Sequence, residues 1–364
     1  MAIRTTDDVN YSNIATAIRE KLGIEMPSPS DYYLPSEMAN KIRDIPKGAE
    51  WVSSIIRARE MFLEDTTLKG FGYSPEFSSL VIAEKMLCAA YGWEEDIDLD
   101  LPECTNAKQM LMATGCPNKQ SHPTPVSGFN VKLNLPKATD ITEICFERDY
   151  EWPAIKNVEL TTSSSLKYMQ SAFGGCELME SCSVSNTSAV GVDNGNQWSQ
   201  VFLNCRSLTD LSELNVKYAG NIDKMFSGCK ALESITVTND EIGYTTACYR
   251  AVEAFKNCIS LENIPIVNLY DLNNVGLSDR LTNMYYGCTS LRSDSSLDKV
   301  LQTCLTVRGY NPSYKTLYHL GFRNESTGYS VDGTSYPGHA TSVWTSLTHY
   351  QDFLDAGWSI GYTD

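Results

Sequence analysis

The sequence predicts an α+β chain of three parts: a small helical N-terminal domain (1–120), a stacked-repeat solenoid (126–310) and a C-terminal capping segment (311–364). Three observations predict it. Apolar residues recur at helical spacing in the first third. A cysteine-centred segment returns five times in the middle. The last fifty residues are rich in Gly, Ser, Tyr and Thr before a final apolar stripe. The chain has 364 residues, 42% hydrophobic and 20% charged, an ordinary globular balance rather than a disordered one.

In the N-terminal third, Ile14, Ile18 and Leu22 share one helical face and Gly23 ends it. Pro35 suits a first helical position, with Met38, Ile42 and Ile45 as the next stripe and Pro46 as its stop. Further helices are expected at about 48–64, 75–91 and 106–114. Pro117 to Gly128, with Pro123 and Pro125, reads as a linker. The text Ile14-Ala15-Thr16-Ala17-Ile18-Arg19-Glu20-Lys21, followed by Leu34-Pro35-Ser36-Glu37-Met38, resembles a module at the N-termini of bacteriophage tail and other structural proteins. That resemblance implies a virion component whose N-terminal domain docks to other virion proteins.

The repeat rests on residues that align without gaps. Phe173 and Cys176, Phe202 and Cys205, Phe226 and Cys229, Phe255 and Cys258, and Tyr285 and Cys288 each place an aromatic three before a cysteine. Gly or Asn immediately precedes every one of these cysteines, suiting a left-handed bend. Met179, Leu208, Leu232, Leu261 and Leu291 follow three later, and a short apolar alternation such as Ile235, Val237 then predicts a strand. Successive cysteines lie 29, 24, 29 and 30 residues apart. Such a period belongs to stacked coils, each covering its neighbour's apolar face. The aromatic and the thiol are therefore expected in the core, the cysteines as small buried hydrophobes. The pattern resembles the BspA-type leucine-rich repeats of bacterial surface proteins, over roughly residues 140–310. The resemblance implies a leucine-rich repeat scaffold and no particular activity. The polar stretch Arg292 to Ser296 is expected to end the stack, and Asn186 to Gln197 and Asp240 to Thr246 read as loops.

In the last segment, 311–340 is loop text, and Trp344, Leu347, Gln351 and Leu354 predict one helix from Thr341 to Ala356. The plain reading is a cap on the open end of the stack. The sharper one makes Tyr329, Tyr336 and Trp358 an exposed surface for a sugar or a protein.

Chemistry is weighed on the same footing. A formal net charge of −16 argues against a surface that tracks nucleic acid. No stretch approaches a membrane span, and the opening Met1-Ala2-Ile3-Arg4-Thr5 lacks a secretory core, so the chain is expected to be made in a host cytoplasm. Asp96, Asp98 and Asp100 alternate like a calcium loop, yet Leu101 stands where glycine is needed and Ala107 where the closing glutamate belongs. They read better as the solvated face of an extended stretch. Cys116 near His122 reads as an incidental thiol in a linker. No cofactor, metal site or catalytic residue is expected. The expected function is that of a non-enzymatic bacteriophage structural protein (tail fibre, baseplate or head fibre), homo-oligomeric in the virion and displaying the repeats toward a host glycan or protein. The alternatives are a virion scaffold without host contact, a bacterial surface adhesin, and a virion-associated glycan hydrolase, which would need a carboxylate pair in a cleft.

Overall fold

In a computed structural model of the chain, the described residues are 56–63, 69–71, 75, 77–116, 128–146, 153–245, 248–269, 280–307 and 314–361. They form a solenoid of stacked coils. One contiguous hydrophobic core runs from Ala58 to Ile360. The two helices expected within residues 10–46, and His122, lie outside the described residues.

Each coil turns on the same backbone device. The aromatic positions Phe173, Phe202, Phe226, Phe255 and Tyr285 are fully buried. Two residues before each comes a left-handed residue that is not glycine: Ser171, Gln200, Lys224, Glu253 and Asn283, with φ between 53° and 58°. Two residues after it comes another: Gly175, Asn204, Gly228, Asn257 and Gly287. That second position is the Gly or Asn seen before each cysteine. The alternation turns every second N–H outward to the coil that follows in sequence. Phe173 donates to Val201 O at 2.9 Å, Phe202 to Met225 O at 2.8 Å, Phe226 to Ala254 O at 2.8 Å and Phe255 to Met284 O at 2.9 Å. The intervening N–H groups close local turns instead, as Cys229 does onto Phe226 O at 3.0 Å.

The aromatic rings then lie on one another. Phe173 and Phe202 stack at 5.5 Å between centroids, Phe202 and Phe226 at 5.4 Å, Phe226 and Phe255 at 5.9 Å, and Phe255 and Tyr285 at 5.5 Å. The cysteines contribute more than small volume. Each Sγ–H donates to the carbonyl of the preceding coil's aromatic residue: Cys205 to Phe173 O at 3.2 Å, Cys229 to Phe202 O at 3.0 Å, Cys258 to Phe226 O at 2.9 Å and Cys288 to Phe255 O at 3.0 Å. Cys176 does the same to Cys145 O at 3.0 Å. A thiol is compact enough to sit beneath the ring and still carries a weak donor.

The same device extends upstream, where helices were expected. Glu60, Lys85, Gln109 and Glu143 are left-handed with φ between 54° and 56°. Two residues on, Phe62 N–H donates to Met86 O, Leu87 to Met110 O, Leu111 to Ile144 O and Cys145 to Ala172 O, all at 2.8–2.9 Å. Parallel bridges join Arg57, Ile82, Asn106, Asp140 and Tyr168 in one column. The described parts of 48–64, 75–91 and 106–114 are therefore turns of coils and not helices. Apolar spacing alone misleads here. Met86 N–H bonds Ala83 O and Ala90 N–H bonds Leu87 O, so successive three-residue turns bury residues at nearly helical intervals.

Strands line another face. A five-stranded parallel sheet takes β1 (Ile97–Asp100), β2 (Phe129–Leu135), β3 (Ile155–Thr162), β4 (Ser181–Val184) and β5 (Asp210–Leu211) in chain order. The order follows from stacking, because each coil adds its strand beside the last. A separate pair, β6 (Glu241–Ile242) and β7 (Ile266–Val267), is also parallel. Inward residues alternate with polar ones, as in β1, where Ile97 and Leu99 are buried and Asp98 and Asp100 exposed.

The stack does not end at Arg292 to Ser296. Ser293 caps helix α1 (Asp294–Thr306) by accepting from Ser296 N–H. This helix covers β7. Thr303 Oγ1 accepts from Val267 N–H at 3.0 Å and Thr306 Oγ1 from Leu269 N–H at 2.8 Å, replacing the carbonyls a further strand would offer. Phe322 then adds a sixth ring, 5.6 Å from Tyr285. A hairpin of β8 (Tyr329–Val331) and β9 (Thr334–Tyr336) follows. The single helix expected from Thr341 to Ala356 is two, α2 (Thr341–Thr345) and α3 (Tyr350–Asp355). They break where His349 N–H and Nδ1 engage Asp298 of α1, at 3.0 and 2.6 Å. Beyond α3, Ser359 O and Ile360 O accept from Leu317 and Tyr318 N–H and close the coil ladder.

Two predictions follow from these contacts. All twelve cysteines are buried thiols outside any disulfide, and desolvation raises nine of them, Cys104 to about 11 and Cys248 to about 12. The native chain is expected to show no fast reaction with a colorimetric disulfide reagent at pH 8, and all twelve thiols to react after denaturation. The second concerns His339, 1% exposed between the hairpin and the stack. Its Nε2–H faces Leu291 O at 3.0 Å, so Nδ1 accepts from Tyr329 hydroxyl at 3.1 Å and the ring is neutral. Burial first, then Arg292, lowers its pKa from 6.5 to about 4. The unfolded chain thus binds a proton between those values that the folded one does not. Stability present above pH 6.5 should fall as pH drops toward 4, by roughly 3 kcal/mol for this group. Denaturant midpoints against pH should show that loss, and His339→Gln should flatten it.

Candidate functional site

The residues expected in the core are all there, so they leave no exposed thiol or ring for chemistry. Cys116 is likewise buried. Of the three aromatics considered for a surface, Tyr329 and Trp358 are each 3% exposed and belong to the end of the stack. Tyr329 packs at right angles to Tyr286 and bonds His339, while Trp358 stacks on Phe353 at 6.0 Å. Tyr336 is half-buried opposite Tyr329 in the hairpin register. The structure therefore does not assemble these three as an exposed surface.

Two lateral surfaces remain. The first is the outer face of the five-stranded sheet. Asp96 accepts from Asn130 N–H at 2.7 Å and Nδ2 at 3.1 Å, Asn157 donates to Asn130 Oδ1 at 2.7 Å, and Ser181 donates to Asn157 Oδ1 at 2.7 Å. Asp100 accepts from Asn134 at 2.8 Å. The acidic run is thus the solvated edge of β1, and two of its carboxylates are bound by amides of the next strand. Among the described residues no group of His, Cys, Asp or Glu side chains is arranged to hold a metal. No described helix is long and apolar enough to cross a membrane.

The second surface is an edge where three coils meet around the loop from Asn186 to Gln197. Asp193 is exposed and accepts from Tyr168 hydroxyl at 3.0 Å and Lys167 Nζ at 3.1 Å. Those two donors hold its carboxyl below the usual range, and the same contact raises the Tyr168 phenol. Asn194 turns the chain by accepting from Asn196 N–H at 3.0 Å. Asn196 Oδ1 receives both Tyr249 hydroxyl at 2.6 Å and Asn221 Nδ2 at 3.0 Å. Lys217 Nζ sits 4.7 Å from the centroid of the half-buried Tyr218 ring.

Glycines make the edge close. A Cβ on Gly195 would meet Gly220 Cα at 3.0 Å, and one on Gly220 would meet Tyr249 Cε1 at 2.8 Å. One on Gly191 would strike Tyr218 O at 2.7 Å. Tyr249 therefore lies against bare backbone and is half-exposed above it. Sequence reasoning found the loop and its Asp193-Asn194-Gly195-Asn196 turn but not the tyrosines. The available signal was only that Tyr168, Tyr218 and Tyr249 lie five, eight and six residues before Phe173, Phe226 and Phe255.

Comparisons with protein-family models, with curated proteins and with solved structures found no match to this chain.

The close packing predicts that Gly220→Ala forces the Tyr249 ring from its seat. The cost is expected at about 1–3 kcal/mol of overpacking, read from denaturant unfolding. Gly333→Ala, where a Cβ meets nothing within 4 Å, controls for steric crowding at a glycine whose φ of +80° still adds backbone strain.

Proposed function

We propose that the chain is a bacteriophage virion structural protein that displays its solenoid for adhesion to a host surface, acting by binding and not by catalysis. The observation that carries this reading is the core that the described coils share. One core spans Ala58 to Ile360, so successive coils hold the lateral edges in fixed relation. A scaffold of this kind presents a preformed surface and orders little on binding, which favours contact through many weak groups. The repeats fit the BspA-type leucine-rich pattern they resemble, and the N-terminal text that resembles a phage structural module supplies the docking end. Copies displayed together on a particle would multiply a modest single-site affinity. The net charge of −16 favours solubility and spacing between them.

The test uses the phage that encodes the chain. Immunogold label raised against residues 140–364 should decorate purified particles, and the purified chain, added in excess, should compete with particles for attachment to host cells. Unlabelled particles would overturn the virion assignment, and attachment indifferent to the free chain would overturn adhesion.

A further inference from the structure

We infer that the edge formed by Tyr168, Asp193, Asn196, Tyr218 and Tyr249 is a binding site for a neutral saccharide. The inference rests on the adhesion reading above and names the ligand class of that function.

Three features carry it. First, the edge combines partly exposed tyrosine rings with hydrogen-bonding groups drawn from neighbouring coils. Sugars present patches of C–H that pack on aromatic faces, flanked by hydroxyls that both donate and accept. Tyr218 and Tyr249 are partly exposed on successive coils, Asp193 is bonded by Tyr168, and Asn196 by Tyr249. Second, the polar groups are fixed before any ligand arrives. Asp193 is held by Tyr168 and Lys167, and Asn196 by Tyr249 and Asn221. A carboxylate has acceptor capacity beyond two donors, and the Asn196 Oδ1 contacts leave its amide N–H groups as donors. Third, the floor is glycine backbone. Gly195 and Gly220 let two coils approach, and the bare Gly220 leaves room for the edge of the Tyr249 ring.

The charges favour a neutral ligand. Lys167 pairs with Asp193, Arg250 with Asp223, and the Lys217 ammonium lies over the Tyr218 ring. Neither sign is left in a cluster that would clamp a polyanion.

Saturation-transfer NMR on the whole chain tests this, with linear tetrasaccharides of glucose, mannose and N-acetylglucosamine as probes. Sialyllactose and tetragalacturonate serve as acidic comparators. At least one neutral probe is expected to bind. Tyr218→Ala and Tyr249→Ala should each weaken it about tenfold, the scale of an aromatic anchor. Tyr249→Phe, which keeps the ring and loses the bond to Asn196, should weaken it about threefold. Thiol protection of each variant checks that the stack is intact. Binding of acidic comparators alone, or of none, overturns the inference, as does unchanged affinity in Tyr218→Ala. If Tyr218→Ala still competes fully with particles for host cells, this site falls while adhesion stands. If the unaltered chain binds the saccharide but does not compete, adhesion falls and the site stands.

Discussion

Everything in this fold depends on a backbone that alternates in handedness around one buried ring. A left-handed residue two positions before the ring and another two after it force every second N–H out of the coil and toward the next. Around the rings these backbone donors run from each coil to its successor, while elsewhere on the coils N–H groups such as those of Thr105, Thr139 and Lys167 donate back to the coil before. Left-handed geometry costs roughly 1–2 kcal/mol at a residue other than glycine, and one backbone bond returns about 1 kcal/mol. A lone coil is therefore unfavourable. Burying the ring between two others contributes about 2–3 kcal/mol more and tips the balance. Coils exist because they have neighbours, which is why one buried cluster joins described residues from Ala58 to Ile360.

The ladder beside the rings has two unlike ends, and the C-terminal end shows how the difference is met. The coil of Tyr285 still has donors to place. Its neighbour supplies His319 O and Leu320 O, and that neighbour in turn donates to Ser359 and Ile360. On the strand side no further described strand pairs with β7. Helix α1 lies there with Thr303 and Thr306 turned to Val267 and Leu269, so hydroxyls stand in for carbonyls. Threonine suits this because its hydroxyl can also bond its own helix, as Thr306 does to Thr303 O at 2.7 Å. Buried N–H groups are thus satisfied without exposing a sheet edge to other chains.

How far the sequence revealed this depended on which residues filled the coil. Where Phe or Tyr and Cys occupy the device, from Phe173 to Cys288, the spacing identified coils, buried rings and buried thiols. Where Phe62, Leu87 and Leu111 take the ring position with no cysteine three residues on, the same device reads as helix. Leu, Ala and Met pack a three-residue turn as well as they pack a helix, and their spacing does not distinguish the two. The end of the stack was misplaced for a related reason. Ser293 and Asp294 look like the start of a loop, yet a serine that accepts from Ser296 N–H begins a helix. For the aromatics near the C-terminus the sequence left both a cap and an exposed surface open, since the burial of Tyr329 is decided by His339, ten residues on. The tyrosine edge was legible only in its loop, because Tyr168 and Tyr249 meet it through hydrogen bonds across coils.

The separation of ring column from lateral edge also explains why a binding surface could arise at this place. Coil spacing from Phe173 to Phe202 and from Phe202 to Phe226 differs, yet the rings stack at 5.5 and 5.4 Å all the same. Extra residues leave the column undisturbed and emerge as the loop around Asp193. Glycines at 191, 195 and 220 then draw that loop onto the neighbouring coils, where a longer insertion without them would stand free in solvent. Such a loop is held by polar side chains and can change its residues without touching the ladder beneath. Chemistry in this architecture is therefore expected to vary along the edges, while the aromatic, the thiol and the left-handed pair stay fixed by the geometry of stacking.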